Sequence, residues 1–188
     1  MAKCPDDVVY GADVTSNWRK HNLGVAAGGG ETSNSENYQR KAVEDGTGLD
    51  CKKTIYRINI RENTLQKLAR PLGKNDGFDY TEDFDGVQNP EFGIVFISFK
   101  CVCKTPAGGG GGNQTRTLRE CYHFIEAQLN FVQKREIFFA NILDGDEADR
   151  RMDQFRYLLD LYPEKKHKVY VGNLKGYFDW FNKCATSE

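Results

Sequence analysis

Three groups of side chains in the middle of this chain could together handle a phosphate ester. The first is Thr81-Glu82-Asp83-Phe84-Asp85-Gly86, a carboxylate cluster running into a glycine turn. On an extended chain Asp83 and Asp85 point to one side and Phe84 to the other, so two acids could share one ligand. The second is Ser98-Phe99-Lys100, inside the apolar run Ile94-Val95-Phe96-Ile97-Ser98-Phe99. A lysine embedded in such a run is costly unless a carboxylate, a phosphate or a metal-bound water meets it. The third is the polar stretch Asn113, Gln114, Thr115, Arg116, Arg119 and Glu120, where the free N–H groups of a helix start would favour phosphate.

The surrounding pattern supplies elements to hold these groups. Residues 55–60 alternate apolar and polar and read as a short strand. Leu65, Leu68 and Leu72 predict a helix over 63–72, ended by Pro71 and Gly73. Residues 78–87 read as a strand entering the acidic turn, and Pro90 stops it. Residues 92–103 form a strand apolar enough to be covered on both faces. Gly108–Gly112 is a loop. Leu118, Cys121, Tyr122, Ile125, Leu129 and Val132 then recur at helical spacing and predict a helix over 115–134, capped by Asn113 or Thr115. A buried strand over 136–143, a helix over 146–161, a strand over 168–174 and a short aromatic helix over 177–183 complete the order. Strands and helices that alternate in this way imply parallel β-α-β pairing, hence an α/β fold with a mixed sheet flanked by helices. Residues 1–50 read as a flexible or irregular arm with room for a short helix, around Gly28-Gly29-Gly30 and a polar stretch; residues 51–188 read as one domain.

The order and spacing of these residues resemble the PD-(D/E)xK nuclease superfamily, which includes most type II restriction endonucleases. That core is a helix, a three-stranded meander, a helix and a further strand. An aspartate precedes a strand that carries an acid, any residue and a lysine. Here Lys100 follows Asp85 by 15 residues and Ser98 by two, and the match spans roughly residues 55–145. The resemblance implies a restriction-endonuclease-like core and a site-specific, Mg²⁺-dependent endonuclease acting on double-stranded DNA, with Mn²⁺ as a substitute. It implies a homodimer, because palindromic cleavage needs two sites. Asp85, Lys100 and Glu120 would be catalytic; Asp83, Asp85 and Glu120 would hold metal; Asn113, Gln114, Thr115, Arg116 and Arg119 would contact DNA. Ser98 departs from the family pattern at the acid position. Some members with serine there take the missing glutamate from the next helix, which offers Glu120 or Glu126. Helical phase places Glu120 opposite the apolar stripe and Glu126 at its rim, so Glu62 and Glu82 stay open as the third carboxylate. Rival readings are a repair or junction nuclease and a non-catalytic DNA-binding or structural interaction protein.

Each feature also has a plain structural explanation. Acids beside a glycine often form a solvated turn, and an edge-strand lysine reaches water along its stem. Arg and Glu on a helix commonly pair on its exposed face. Asp144-Gly145-Asp146 reads as a strand-to-helix turn, His123 and His167 as surface residues, and Tyr177, Phe178, Trp180 and Phe181 as core. The nuclease reading rests on order, spacing and a lysine in an apolar strand taken together.

Composition narrows the remainder. The chain has 188 residues, with 26 Lys and Arg against 27 Asp and Glu, a net charge of −1. That balance argues against passive coating of nucleic acid or membrane, though not against a local patch. No apolar run reaches the length of a membrane span, and Met1–Tyr10 lacks the pattern of a signal peptide. The expected setting is therefore intracellular, in the cytoplasm, with no membrane partner. Six cysteines without a secretion signal read as reduced, mostly buried thiols, and Cys101-Val102-Cys103 lacks the partners of a zinc site. The glycine run lacks the Lys-Ser/Thr of a phosphate-binding loop, which disfavours a nucleotide-hydrolysing P-loop enzyme.

Overall fold

A computed structural model describes residues 32–67, 79–102, 111–131 and 136–186. The first helix, α1 (Thr32–Thr47), is followed by a hairpin of β1 (Tyr56–Asn59) and β2 (Thr64–Lys67). The main sheet contains β3 (Gly86–Gln88), β4 (Ile94–Cys101), β5 (Ile137–Asp144) and β6 (Val169–Gly172), in that spatial order. Helix α2 (Gly111–Asn130) joins β4 to β5. Helices α3 (Asp146–Arg150) and α4 (Met152–Asp160), with a 3₁₀ turn at Lys166–Lys168, join β5 to β6. Helix α5 (Leu174–Ala185) closes the described chain. The pair β3–β4 is antiparallel, while β4–β5 and β5–β6 are parallel, so the sheet is mixed.

Alternation along β4 and β5 divides two cores. Phe96 and Phe139 face α2 and α4, where Leu118, Cys121, Phe124, Ile125, Leu129, Phe155 and Leu158 bury against them. Val95, Ile97, Phe99, Phe138, Ala140 and Ile142 face α1 and α5, meeting Val43, Leu174, Tyr177 and Phe181. Both crossover connections thus lie on one face, as successive right-handed crossovers between neighbouring strands require. Two-sided burial explains why β4 and β5 read as unbroken apolar runs. Two buried amide side chains satisfy each other between the sheet and α2. Gln128 Nε2 donates to Asn141 Oδ1 at 2.9 Å and Asn141 Nδ2 donates to Gln128 Oε1 at 2.7 Å. Tyr177 donates to Gln88, which in turn donates to Thr47 and to the Leu49 carbonyl, tying α5 and β3 to the end of α1.

Several expectations change. The described part of the helix expected over 63–72 is a strand, Thr64–Lys67. Asn59 Oδ1 accepts the amides of Arg61 and Glu62 at 3.0 Å each, and Asn63 adopts φ 52°, so the chain turns back and Leu65 pairs with Ile58. Of the described part of the strand expected over 78–87, only Gly86 and Val87 fall in a regular strand, β3. Before it, residues 79–84 run beside β1 through bonds from Ile60 N to Asp79 O, Thr81 N to Ile58 O and Phe84 N to Tyr56 O. The helix expected over 146–161 is interrupted at Arg151 (φ −105°, ψ 2°). Residues 32–47, placed by sequence within the irregular arm, form α1, whose Val43 is fully buried. Among the described residues no helix is long and apolar enough to cross a membrane.

Candidate functional site

The crossing segment 79–85 hydrogen-bonds first to β1 and then to β4, and this path decides where its acids go. Phe84 is the anchor: it is buried among Phe96, Phe124 and Phe139, with ring centroids 5.0–5.4 Å apart. Burial of that ring fixes the backbone on either side, and the flanking carboxylates separate.

Asp85 turns onto β4. Its amide donates to Ile97 O at 2.9 Å, and its Oδ2 accepts the Phe99 amide at 2.7 Å. The carboxylate therefore continues the β3–β4 ladder where the β3 backbone has left it. From the other face, buried Arg40 of α1 donates Nη1 to the Asp85 carbonyl at 2.8 Å and Nη2 to Asn37 Oδ1. Asp83 turns towards β1 instead. Its Oδ1 lies 3.2 Å from Nη2 of Arg57, and Arg57 also donates to the Thr81 carbonyl at 3.1 Å. The common side expected for Asp83 and Asp85 presupposed a regular strand, and 81–85 is not one.

Lys100 lies near the C-terminal end of β4, on the α2 face. Its Nζ is 2.9 Å from Glu82 Oε2. Burial pulls the ammonium group down, but the negative charges of Glu82 and Asp85 outweigh it and hold the group above the usual lysine value. Lys100 is thus a fixed cation at neutral pH. Cys121 of α2 completes the wall; burial pushes its thiol up to about 12 although Lys100 opposes that. Cys51, on the opposite face near Arg40 and Asp85, is also pushed up to about 12 by burial. Cys51 and Cys121 are buried free thiols, and Cys184 is a half-buried one.

The structure therefore brings Asp85, Lys100 and Glu82 together. Glu82 was one of four open choices for the third carboxylate, and no periodicity could single it out. Glu120 lies on the outer face of α2, where its Oε1 is 2.9 Å from Arg116 Nε. Glu126 sits near His123 on the same helix, and Glu62 accepts from Gln66 in the hairpin. Arg116 and Arg119 are exposed, in the half of α2 that follows β4. Asn113, Gln114 and Thr115 belong to the first turns of that helix, but their side chains lie outside the described residues. Ser98 is buried beside Asn141, its register partner on β5. Among the described residues, no three His, Cys, Asp or Glu side chains form a group able to hold a metal ion by themselves.

No protein-family model, curated protein or solved structure matches this chain.

Proposed function

We propose that this chain is a divalent-metal-dependent DNA endonuclease hydrolysing phosphodiester bonds, with Asp85, Glu82 and Lys100 as its working side chains. The observation that carries this reading is the meeting of Lys100 with Glu82 at 2.9 Å, with the negative charge of Asp85 also acting on the half-buried lysine, near the C-terminal end of a largely buried strand. The mixed sheet supports the reading: an antiparallel pair, β3 just after Asp85 and β4 with Lys100, is followed by a crossover helix and a parallel strand.

The donor chemistry fits Mg²⁺, with Mn²⁺ as a substitute. Hard cations prefer carboxylate oxygens, and Mg²⁺ is commonly held by one or two of them with water filling the rest of its shell. Asp85 and Glu82 would hold it, and Asp83 would join only on leaving Arg57. When bound, such an ion lowers the pKa of its water and offsets charge on the phosphate. Lys100 remains protonated, so its part is to hold a phosphate oxygen or orient the attacking water rather than to accept a proton. A phosphate that approaches Lys100 competes with Glu82 for the ammonium and so frees that carboxylate to act as a ligand. Arg116 and Arg119 would meet backbone phosphates of double-stranded DNA, and Asn113, Gln114 and Thr115 would reach towards bases from the start of α2. Sequence-specific cleavage of a palindrome would require two copies, hence a homodimer.

The test is cleavage of mixed plasmid and phage DNA with Mg²⁺, against EDTA and against Lys100→Ala. Discrete fragments that need metal and vanish in the variant are expected. Activity that survives the substitution overturns the assignment. If only branched or mismatched DNA is cut, the enzyme is a structure-specific nuclease. Metal-independent binding without turnover would identify a binding protein instead.

A further inference from the structure

At the opposite end of the sheet lies a cleft of about 530 Å³, within the range of small-molecule sites. Phe92 and Glu136 precede β4 and β5, so the cleft opens at the N-terminal ends of the parallel strands. Six residue steps along β4 separate Ile94 from Lys100, about 20 Å at the usual strand rise. The floor is aromatic: Phe138, Phe92 and Trp180 line it. Lys166, Lys168 and Lys183 stand at the rim, with Glu136 as the one carboxylate among the described lining residues.

The aromatic floor is held rigidly. Trp180 Nε1 donates to the His167 carbonyl at 3.2 Å, and the indole packs on Phe138, Tyr170 and Tyr177 at centroid distances of 6.1, 5.7 and 5.9 Å. Phe92 stands edge-on to Phe138 at 5.1 Å. Lys166 and Lys168 are both ion-paired. Lys166 pairs with Asp160 at 2.8 Å, but both side chains are about half exposed or more, and such pairs exchange readily for a stronger anion. Lys168 is the more embedded: its Nζ lies 2.9 Å from Glu136 and 5.6 Å from the Phe138 centroid. A planar ring suits a fixed aromatic floor, and a doubly charged phosphate outcompetes one exposed carboxylate for Lys166 while also drawing Lys183.

We propose that this cleft binds a nucleoside monophosphate, its base against Trp180 and Phe92 and its phosphate between Lys166 and Lys183. The site stands independently of the nuclease reading and about 20 Å from Lys100 by strand rise.

Isothermal titration of the full chain with AMP, adenosine and inorganic phosphate tests it. AMP should bind saturably, and both fragments at least tenfold more weakly, since each offers half of the recognised chemistry. Lys166→Glu with Lys183→Glu, two exposed positions, should weaken AMP at least tenfold and leave the thermal unfolding midpoint in place. Trp180→Phe should weaken AMP less than that pair does. Lys100→Ala should leave AMP binding unchanged. The proposal is overturned if AMP binds no better than adenosine, if the double lysine variant binds normally, or if Lys100→Ala abolishes binding. A single-stranded oligonucleotide that binds more than tenfold tighter than AMP, and loses this in the lysine variant, would also overturn it in favour of a strand-binding groove.

Discussion

Substitution of Asp85 separates what this residue does for the fold from what it does for chemistry. Its Oδ2 accepts the Phe99 amide at 2.7 Å, on a residue only 4% exposed, and that bond extends the β3–β4 ladder. Asp85→Ala leaves this buried N–H without its acceptor. A hydrogen bond to an ionised acceptor contributes about 1.5–3 kcal/mol, so a loss near 2 kcal/mol in unfolding free energy is expected. Asp85→Asn keeps an oxygen in the same place and gives up only the charge, so about 1 kcal/mol or less should be lost. Urea denaturation followed by circular dichroism measures both. Cleavage should behave differently, because a neutral amide is a poor ligand for Mg²⁺. Both variants should lose on the order of 100-fold or more in metal-dependent rate, equivalent to about 2.7 kcal/mol of barrier. Asp85→Asn is decisive: it should fold almost as the parent does and fail to cut. If it cuts supercoiled plasmid at the parent rate, the carboxylate has no part in catalysis. If Asp85→Ala is as stable as the parent, the hydrogen bond is worth far less than its geometry implies.

Glu82→Gln should reduce cleavage by on the order of 100-fold, whereas Glu120→Gln, which breaks only an exposed pair with Arg116, should stay within about threefold of the parent; initial rates under the same conditions compare them, and the reverse ranking would move the third carboxylate to α2. The pair between Lys100 and Glu82 gives a pH signature. The folded lysine titrates above its ordinary value of 10.5, so its contribution to stability is complete below that value and is lost as pH rises through the higher folded one. Unfolding free energies from pH 7 upward should therefore show no Lys100-dependent decline until about pH 10.5, with Lys100→Met as the reference lacking it. Gly48 and Gly93 should answer differently to alanine. Gly48 (φ 72°) ends α1 with open space around a new Cβ, so Gly48→Ala should cost about 1 kcal/mol. At Gly93 (φ 150°) a Cβ would lie 2.3 Å from the Glu136 carbonyl, so about 2–4 kcal/mol is expected, read from urea midpoints.

Local pattern was enough for much of the molecule. The apolar run through β4 announced a strand covered on both faces, and Leu118, Cys121, Ile125 and Leu129 announced the buried side of α2. Alternation of strands and helices after residue 92 implied the parallel pairs β4–β5 and β5–β6. These signals are legible because periodicity records which side of an element meets apolar neighbours, whatever those neighbours are. The leucine spacing misled at Leu65 because the three-residue spacing of a helix also arises by accident, while the turn at Asn59 and Asn63 that makes the hairpin depends on two asparagines.

The candidate site divides in the same way. Asp85 and Lys100 were visible from type and spacing, since a lysine in an apolar strand demands a partner. Which partner it finds was not visible. Glu82 and Lys100 are 18 residues apart, and they meet because Phe84 is buried among Phe96, Phe124 and Phe139 and its neighbours turn to different partners. Asp83 is drawn to Arg57 by the same turn, and Glu120 is left on the outer face of its helix. A sequence states which charges exist and which elements carry them. The pairing of those charges follows from the path of an irregular segment, and that path is set by long-range burial that no local pattern encodes.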